Sequence, residues 1–317
     1  MSYADLMRHA ADIRDKAALE TIKEQRRPPY DRTGNPRTAD ERRDTLAASR
    51  KIVLAQGLAE IPSLFQPFAE MPDPAGFLPM RDRADDLAAA LSGSARTTNP
   101  LYETIYLASL AYSEMADVRT ALDRWHGPAA NAFRANFLSP FPFRLGNQFV
   151  IALLVRGALD AEREIWTRAR TDIDQIAHGT MHALDALDDC SKFEWTMTFT
   201  VLASVAATAA VPLSAGGSLA LAVALVGGSS QVIAAYAPED PTKSQYTGKT
   251  VDAVLDNMRE AITKLRSGIH LQETKVANVL RTAVEGMRGR RDIFVAPRPD
   301  LIAATRATIR EDLGDAS

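Results

Sequence analysis

Leu122-Asp123-Arg124-Trp125-His126-Gly127-Pro128-Ala129-Ala130 is the stretch whose reading decides the fold. Gly127 can take the left-handed conformation that ends a helix, and Pro128 suits the first turn of the next one. Upstream, Leu101, Ile105, Leu107, Leu110, Tyr112, Met115, Val118 and Leu122 broadly keep helical spacing, so a helix is expected over 101–124. Downstream, a second helix is expected from about 129 to 190, interrupted near Pro140-Phe141-Pro142. So short a connection makes neighbouring helices antiparallel. Ala129, Ala130 and Ala132 would let them approach closely, with Trp125, Phe133 and Phe137 packing across their ends.

Outward from this turn, the helical pattern continues. Residues 2–27 read as a helix with Leu6, Ala10, Ile13 and Ala17 on one face, and 28–36 as a linker. A helix is expected at about 39–60. An irregular docked segment with four prolines and Phe65, Phe68 and Phe77 follows at 62–78, then a short helix at 80–92. Gly93 to Pro100 is the best boundary in the first half. Near the C-terminus, Val251, Val254, Leu255, Met258, Ile262, Leu265, Ile269, Val276, Val279, Leu280 and Val284 form one stripe of a helix over 249–287.

Composition agrees with this pattern. Of 317 residues, 46 % are hydrophobic and 24 % charged, enough for a packed core, and aromatics are only 7 %. Abundant Ala, Leu, Arg and Glu favour helices over strands. A net charge of −3 gives no general attraction to nucleic acid or to an anionic membrane. Arg42, Arg43, Arg50 and Lys51, with Lys23, Arg26 and Arg27, make a locally basic stretch that Asp40, Glu41 and Asp44 dilute. Cys190 is the one cysteine, so neither an intrachain disulfide nor a cysteine zinc cluster is available. Met1 to Arg27 has no continuous apolar stretch of the signal-peptide kind. Synthesis in the cytoplasm is therefore expected, with any export by a route that does not read such a signal.

One segment departs from the rest. Thr196 to Tyr236 contains no charged residue and falls into two apolar halves, 197–211 and 218–235, around Pro212-Leu213-Ser214-Ala215-Gly216-Gly217. The expectation is an apolar helical hairpin, followed by a polar turn over 238–245. A membrane-spanning helix needs about 20 apolar residues. Both halves are near that limit, and their small residues suit close helix packing in lipid or in a protein core. Val201, Val205, Val211, Leu221, Ala222, Val226 and Val232 are the candidates for membrane insertion. The layout is similar to that of α-helical pore-forming toxins, which hide an apolar hairpin against a helical bundle.

The tripeptide Trp125-His126-Gly127, with small residues and then aromatics after it, resembles the WXG-motif family of type VII secretion substrates. The resemblance covers about residues 100–190 and implies an antiparallel helical hairpin, often paired with a second one. It implies that Trp125 and Gly127, with Phe133 beside them, serve the hairpin turn and recognition by the secretion machinery or a helical partner. It also implies that the cytoplasm is bacterial and the destination the envelope or outside. The simplest members are about 100 residues long, so this chain would be a larger relative. The family's export signal, Tyr-x-x-x-Asp/Glu, matches at Tyr236 and Asp240, with Pro238 inside it.

Catalytic signals are weak, which leans against an enzyme. His178 and His182 share a helix face, with Asp174 and Asp185 near it, a weak metal candidate interrupted by Gly179. Gly248-Lys249-Thr250 ends like a phosphate loop, but Lys243 stands where the first glycine belongs. No cofactor is expected. The expected fold is all-α: an elongated helical bundle around a long antiparallel helical hairpin, with a second apolar helical hairpin. Its expected parts are 1–95, a hairpin at 96–195, the apolar hairpin at 196–236, and a long helix with a tail at 237–317. Two functions follow: a type VII secretion-associated protein acting by helix-helix association, or a membrane-active pore-former using 196–236. Homo-oligomers fit either one.

Overall fold

The computed structural model describes residues 3–24, 48–49, 57–92, 97–98, 105–106, 109–122, 124–187, 193–201 and 242–296. The described chain is predominantly helical. Its helices are α1 (Tyr3–Glu24), α2 (Ile61–Ala69), α3 (Leu78–Leu91), α4 (Leu110–Leu122), α5 (Pro128–Phe133), α6 (Phe141–Ala186) and α7 (Val251–Gly289). Two small antiparallel sheets accompany them: β1 (Thr97–Thr98) with β2 (Ile105–Tyr106), and β3 (Phe193–Phe199) with β4 (Thr242–Gly248). Strictly all-α is thus too narrow a description.

The chain divides into two compact units. The first comprises residues 1–74, 164–204 and 239–273, and the second comprises residues 75–163, 205–238 and 274–317.

In the first unit, α1 buries Leu6, Ala10, Ile13 and Ala17, the face expected from their spacing. The segment 62–78, expected to be irregular, is helical up to residue 69 as part of α2, which buries Ile61, Phe65 and Phe68. Pro62 sits in its first turn, where a missing N–H breaks no helical bond. The C-terminal half of α6 contributes Ile165, Ala169, Ile173, Ile176 and Leu184 to the core, and α7 contributes Val254, Leu255, Met258, Ile262 and Leu265. Beside α1, His9 meets His178 and Lys16 pairs with Asp185 at 2.8 Å. Each step is seven residues in the same direction, so α1 and this half of α6 run parallel for two turns. Glu60 pairs with Arg259 of α7 at 2.8 Å.

In the second unit, α3 packs Ala88 and Leu91 against Phe149, Ala152 and Leu153 of α6. Arg156, nearly buried, pairs with Asp85 at 2.9 Å. Phe294, just past α7, is buried with Ile151, Met287 and Ile293. Asn147 and Gln148 donate to the Ile293 and Phe294 carbonyls, each at 2.7 Å. Helix α4 starts at Leu110, later than expected, because residues 105–106 pair as a strand with 97–98. Gly127 takes a φ of +113° at the turn. Helix α5 then passes through a π-helical turn at Arg134–Leu138 before α6 starts at Phe141. That interruption falls where Pro140 and Pro142 lack N–H groups.

Along 112–141 the contacts run in opposite senses. Tyr112 stacks with Phe141 (centroids 6.5 Å apart), Arg119 donates to the Leu138 carbonyl (3.2 Å), and Trp125 meets Phe133 (5.8 Å). Arg134 donates to the carbonyls of Leu122 and Trp125, the C-terminal orphans of α4 and its turn.

Candidate functional site

The feature that stands apart from helix packing is the β3–β4 ladder. Seven residues of each strand pair in register, from Phe193 opposite Gly248 to Phe199 opposite Thr242. The helices α6 and α7 attach beyond the Phe193/Gly248 end, and residues 200–241 connect the other. Burial alternates as it does in a half-covered sheet. Met197 and Phe199 are buried against exposed Thr196, and Ser244, Tyr246 and Gly248 are buried against exposed Lys243, Gln245 and Thr247.

Three contacts seat the ladder on the helices of this unit. The first is steric. Gly179 lies mid-helix in α6, where glycine ordinarily destabilises by about 1 kcal/mol. A β-carbon there would fall 2.4 Å from the Trp195 indole. The missing side chain is therefore the slot into which Trp195 lies. Trp195 in turn packs on Tyr246 across the ladder, with centroids 5.0 Å apart.

The second is polar. Asp172 of α6 is fully buried and accepts hydrogen bonds from three donors just past β3: Thr200 N at 3.0 Å, Thr200 Oγ1 at 2.8 Å and Val201 N at 3.1 Å. Arg168 donates to the Thr200 carbonyl at 3.1 Å and pairs with Glu164 at 2.6 Å. Burial pushes the Asp172 carboxyl above its ordinary range, opposed by the hydrogen bonds from Val201 and Thr200 and by the Arg168 charge.

The third comes from α7. Lys264 donates to Ser244 at 3.2 Å and lies 5.6 Å from the centre of the Tyr246 ring. Asn257 donates to the Thr247 carbonyl at 3.1 Å. A hydrogen bond to Glu260 raises the Lys264 pKa against partial desolvation, and burial raises that of Tyr246. A crevice lined by Ala183, Trp195, Tyr246, Gly248, Val254 and Asn257 has room for about one water molecule. The arrangement is a clamp on two strands and offers no substrate cavity there.

The sequence-expected residues fall unevenly on this picture. The expected helical hairpin over 196–236 begins as a strand instead, and the expected polar turn over 238–245 becomes β4 from residue 242. Val201 is buried behind β3. Val205, Val211, Leu221, Ala222, Val226 and Val232 lie outside the described residues, as do Cys190 and most of the basic stretch; Lys23 pairs with Glu20 at 2.9 Å. Trp125 is 39 % exposed at its turn, and Phe133 is half-buried between Trp125 and Phe137. His178 gathers His9 and Asp174 around it rather than His182, which is exposed. Lys249 and Thr250 form an exposed bend before α7, where Thr250 Oγ1 caps the Ala253 N–H at 3.3 Å; no phosphate loop forms.

Sequence reasoning missed the ladder, Asp172 and Gly179. The signal for the ladder was present, since Phe193, Trp195, Met197 and Phe199 alternate with Glu194, Thr196 and Thr198. Among the described residues one helical stretch, Ala129–Ala186, is long and apolar enough by length and composition to cross a membrane. The chain matches no protein-family model, no curated protein and no solved structure.

Proposed function

We propose that the protein is membrane-active: a helical body that delivers the uncharged segment 202–236 to a lipid bilayer through the β3–β4 neck. The ladder carries this reading. Paired strands lie about 5 Å apart, so the segment leaves and returns at one place. No charge occurs between Thr196 and Pro238, and so long an apolar stretch needs a cover of protein or lipid. As helices, 202–211 and 218–235 would be about 15 and 27 Å long. The hydrocarbon core is about 30 Å thick. The segment therefore enters deeply without making two full spans, and a pore takes several copies packed through Ala, Gly and Ser.

Dye release from vesicles tests this directly. Ala222→Asp adds about 3 kcal/mol to insertion at the membrane centre, or roughly 100-fold in partition. Leakage is expected from the native chain and its near-abolition in the variant. Equal leakage from both would remove 202–236 from the mechanism.

A second reading rests on a different observation, the exposure of Trp125 at a positive-φ turn flanked by α4 and α5. In that reading 110–186 is a WXG-type hairpin, and Trp125 is presented to the type VII secretion machinery or to a helical partner. Trp125→Ala is then expected to reduce export from a type VII-bearing host at least tenfold while leaving far-UV circular dichroism unchanged. Normal export of the variant would dismiss this reading. The two are compatible, since an exported protein can act on a membrane.

A further inference from the structure

We infer that His9, Asp174 and His178 form a binding site for a divalent first-row cation of the zinc type, tying α1 to α6. One ligand atom from each lies within 4.8 Å of the others. Zinc bonds of about 2.0–2.1 Å put tetrahedral ligands roughly 3.4 Å apart, so modest side-chain rotations close the site. The two imidazoles come from separate helices and meet edge to face, centroids 4.7 Å apart and planes at 84°. Asp174 Oδ1 is shut off from solvent and lies 3.1 Å from His178 Nδ1, so the carboxylate already faces one of the two imidazoles that would share the ion.

His178 Nδ1 lies 3.0 Å from the Asp174 carbonyl oxygen, to which it can donate. That contact orients the ring from the backbone, the usual support for a metal-binding imidazole. Two nitrogens and one carboxylate oxygen suit Zn²⁺, Co²⁺ or Ni²⁺ better than Mg²⁺ or Ca²⁺. His178 is exposed, which leaves room for water at a fourth position. This inference is independent of any role for 202–236.

Calorimetric titration of the full-length protein with ZnCl₂, with Co²⁺ absorption in parallel, tests it. One ion per chain is expected, with the visible Co²⁺ bands of a tetrahedral site. His9→Gln, His178→Gln and Asp174→Asn should each weaken binding by at least about tenfold, and His182→Gln should leave it unchanged. Histidine NMR of the native chain avoids dependence on variants: Zn²⁺ should shift two of the five histidines, and these should be His9 and His178. Absence of saturable binding, wild-type affinity in the three variants, or shifts at other histidines would overturn the site. A hydrogen-bonded His-His-Asp contact without metal affinity is the alternative those results would leave.

Discussion

Gly179→Ala is expected to destabilise the protein by about 2–3 kcal/mol and to lower its Tm by roughly 5–10 °C. The sign is the informative part. In an unobstructed helix the same change stabilises by about 1 kcal/mol, because alanine loses less backbone entropy on folding. Here the added methyl would lie 2.4 to 2.7 Å from three atoms of the Trp195 indole. Something must move, and the helix backbone cannot, since α6 continues unbroken on both sides. The indole therefore swings out and separates from Tyr246. Trp195→Ala should remove the penalty, because it empties the slot; the double variant is then as stable as the single Trp195→Ala or up to about 1 kcal/mol more so. Thermal melts of the four proteins read the coupling. A stabilising or neutral Gly179→Ala would mean that β3 does not rest on α6.

Asp172→Ala carries the other large effect, about 3–5 kcal/mol, concentrated at the exit of β3. Removal of the carboxylate leaves Thr200 N, Thr200 Oγ1 and Val201 N without their acceptor in a buried place. Asp172→Asn keeps an acceptor but turns an amide donor toward one of these donors, so about 1–2 kcal/mol is expected. The pH dependence has a definite sign. Burial raises the Asp172 pKa in the folded protein, so the folded state holds that proton more tightly than the unfolded one. The associated stability is fully present below about pH 4, the unfolded value, and is lost as pH rises through the folded value. Acidification from neutrality should therefore strengthen the native protein relative to Asp172→Asn, as read by urea melts across that range. An acid-triggered release of 200–241 through Asp172 would show the opposite trend.

What was legible in the sequence follows from the range of the forces involved. The faces of α1 and α7 were readable because one burial period of 3.6 residues runs through each. Leu6, Ala10, Ile13 and Ala17 are all buried, and so is the α7 stripe from Val251 to Val276, whereas Val284 is exposed. The turn at Gly127 was readable because glycine followed by proline has few other uses there. The ladder was masked by its neighbour: Thr196 to Phe199 belongs to an uncharged run that reads as apolar helix, although its period is two. The prolines of 62–78 looked like breakers, yet Pro62 occupies the first turn of α2, where proline is tolerated, and Pro67 lies inside the same helix. Gly179 looked like a flaw between two histidines. Its purpose depends on Trp195, sixteen residues on and in another element. His9 could not be matched to His178 by any local pattern, because only the packing of α1 on α6 brings them together.

The central claim, that 202–236 enters lipid through the β3–β4 neck, is tested most directly by an environment-sensitive dye at residue 222. With Cys190 replaced by serine, Ala222→Cys gives a single attachment point for a nitrobenzoxadiazole label. On adding vesicles, a blue shift and a several-fold rise in emission are predicted, together with co-flotation of the protein. The same label at exposed Asp256 on α7 should stay unchanged. An emission at 222 that is indifferent to lipid, from protein that remains at the bottom of the gradient, would contradict the account and leave the uncharged segment as internal packing.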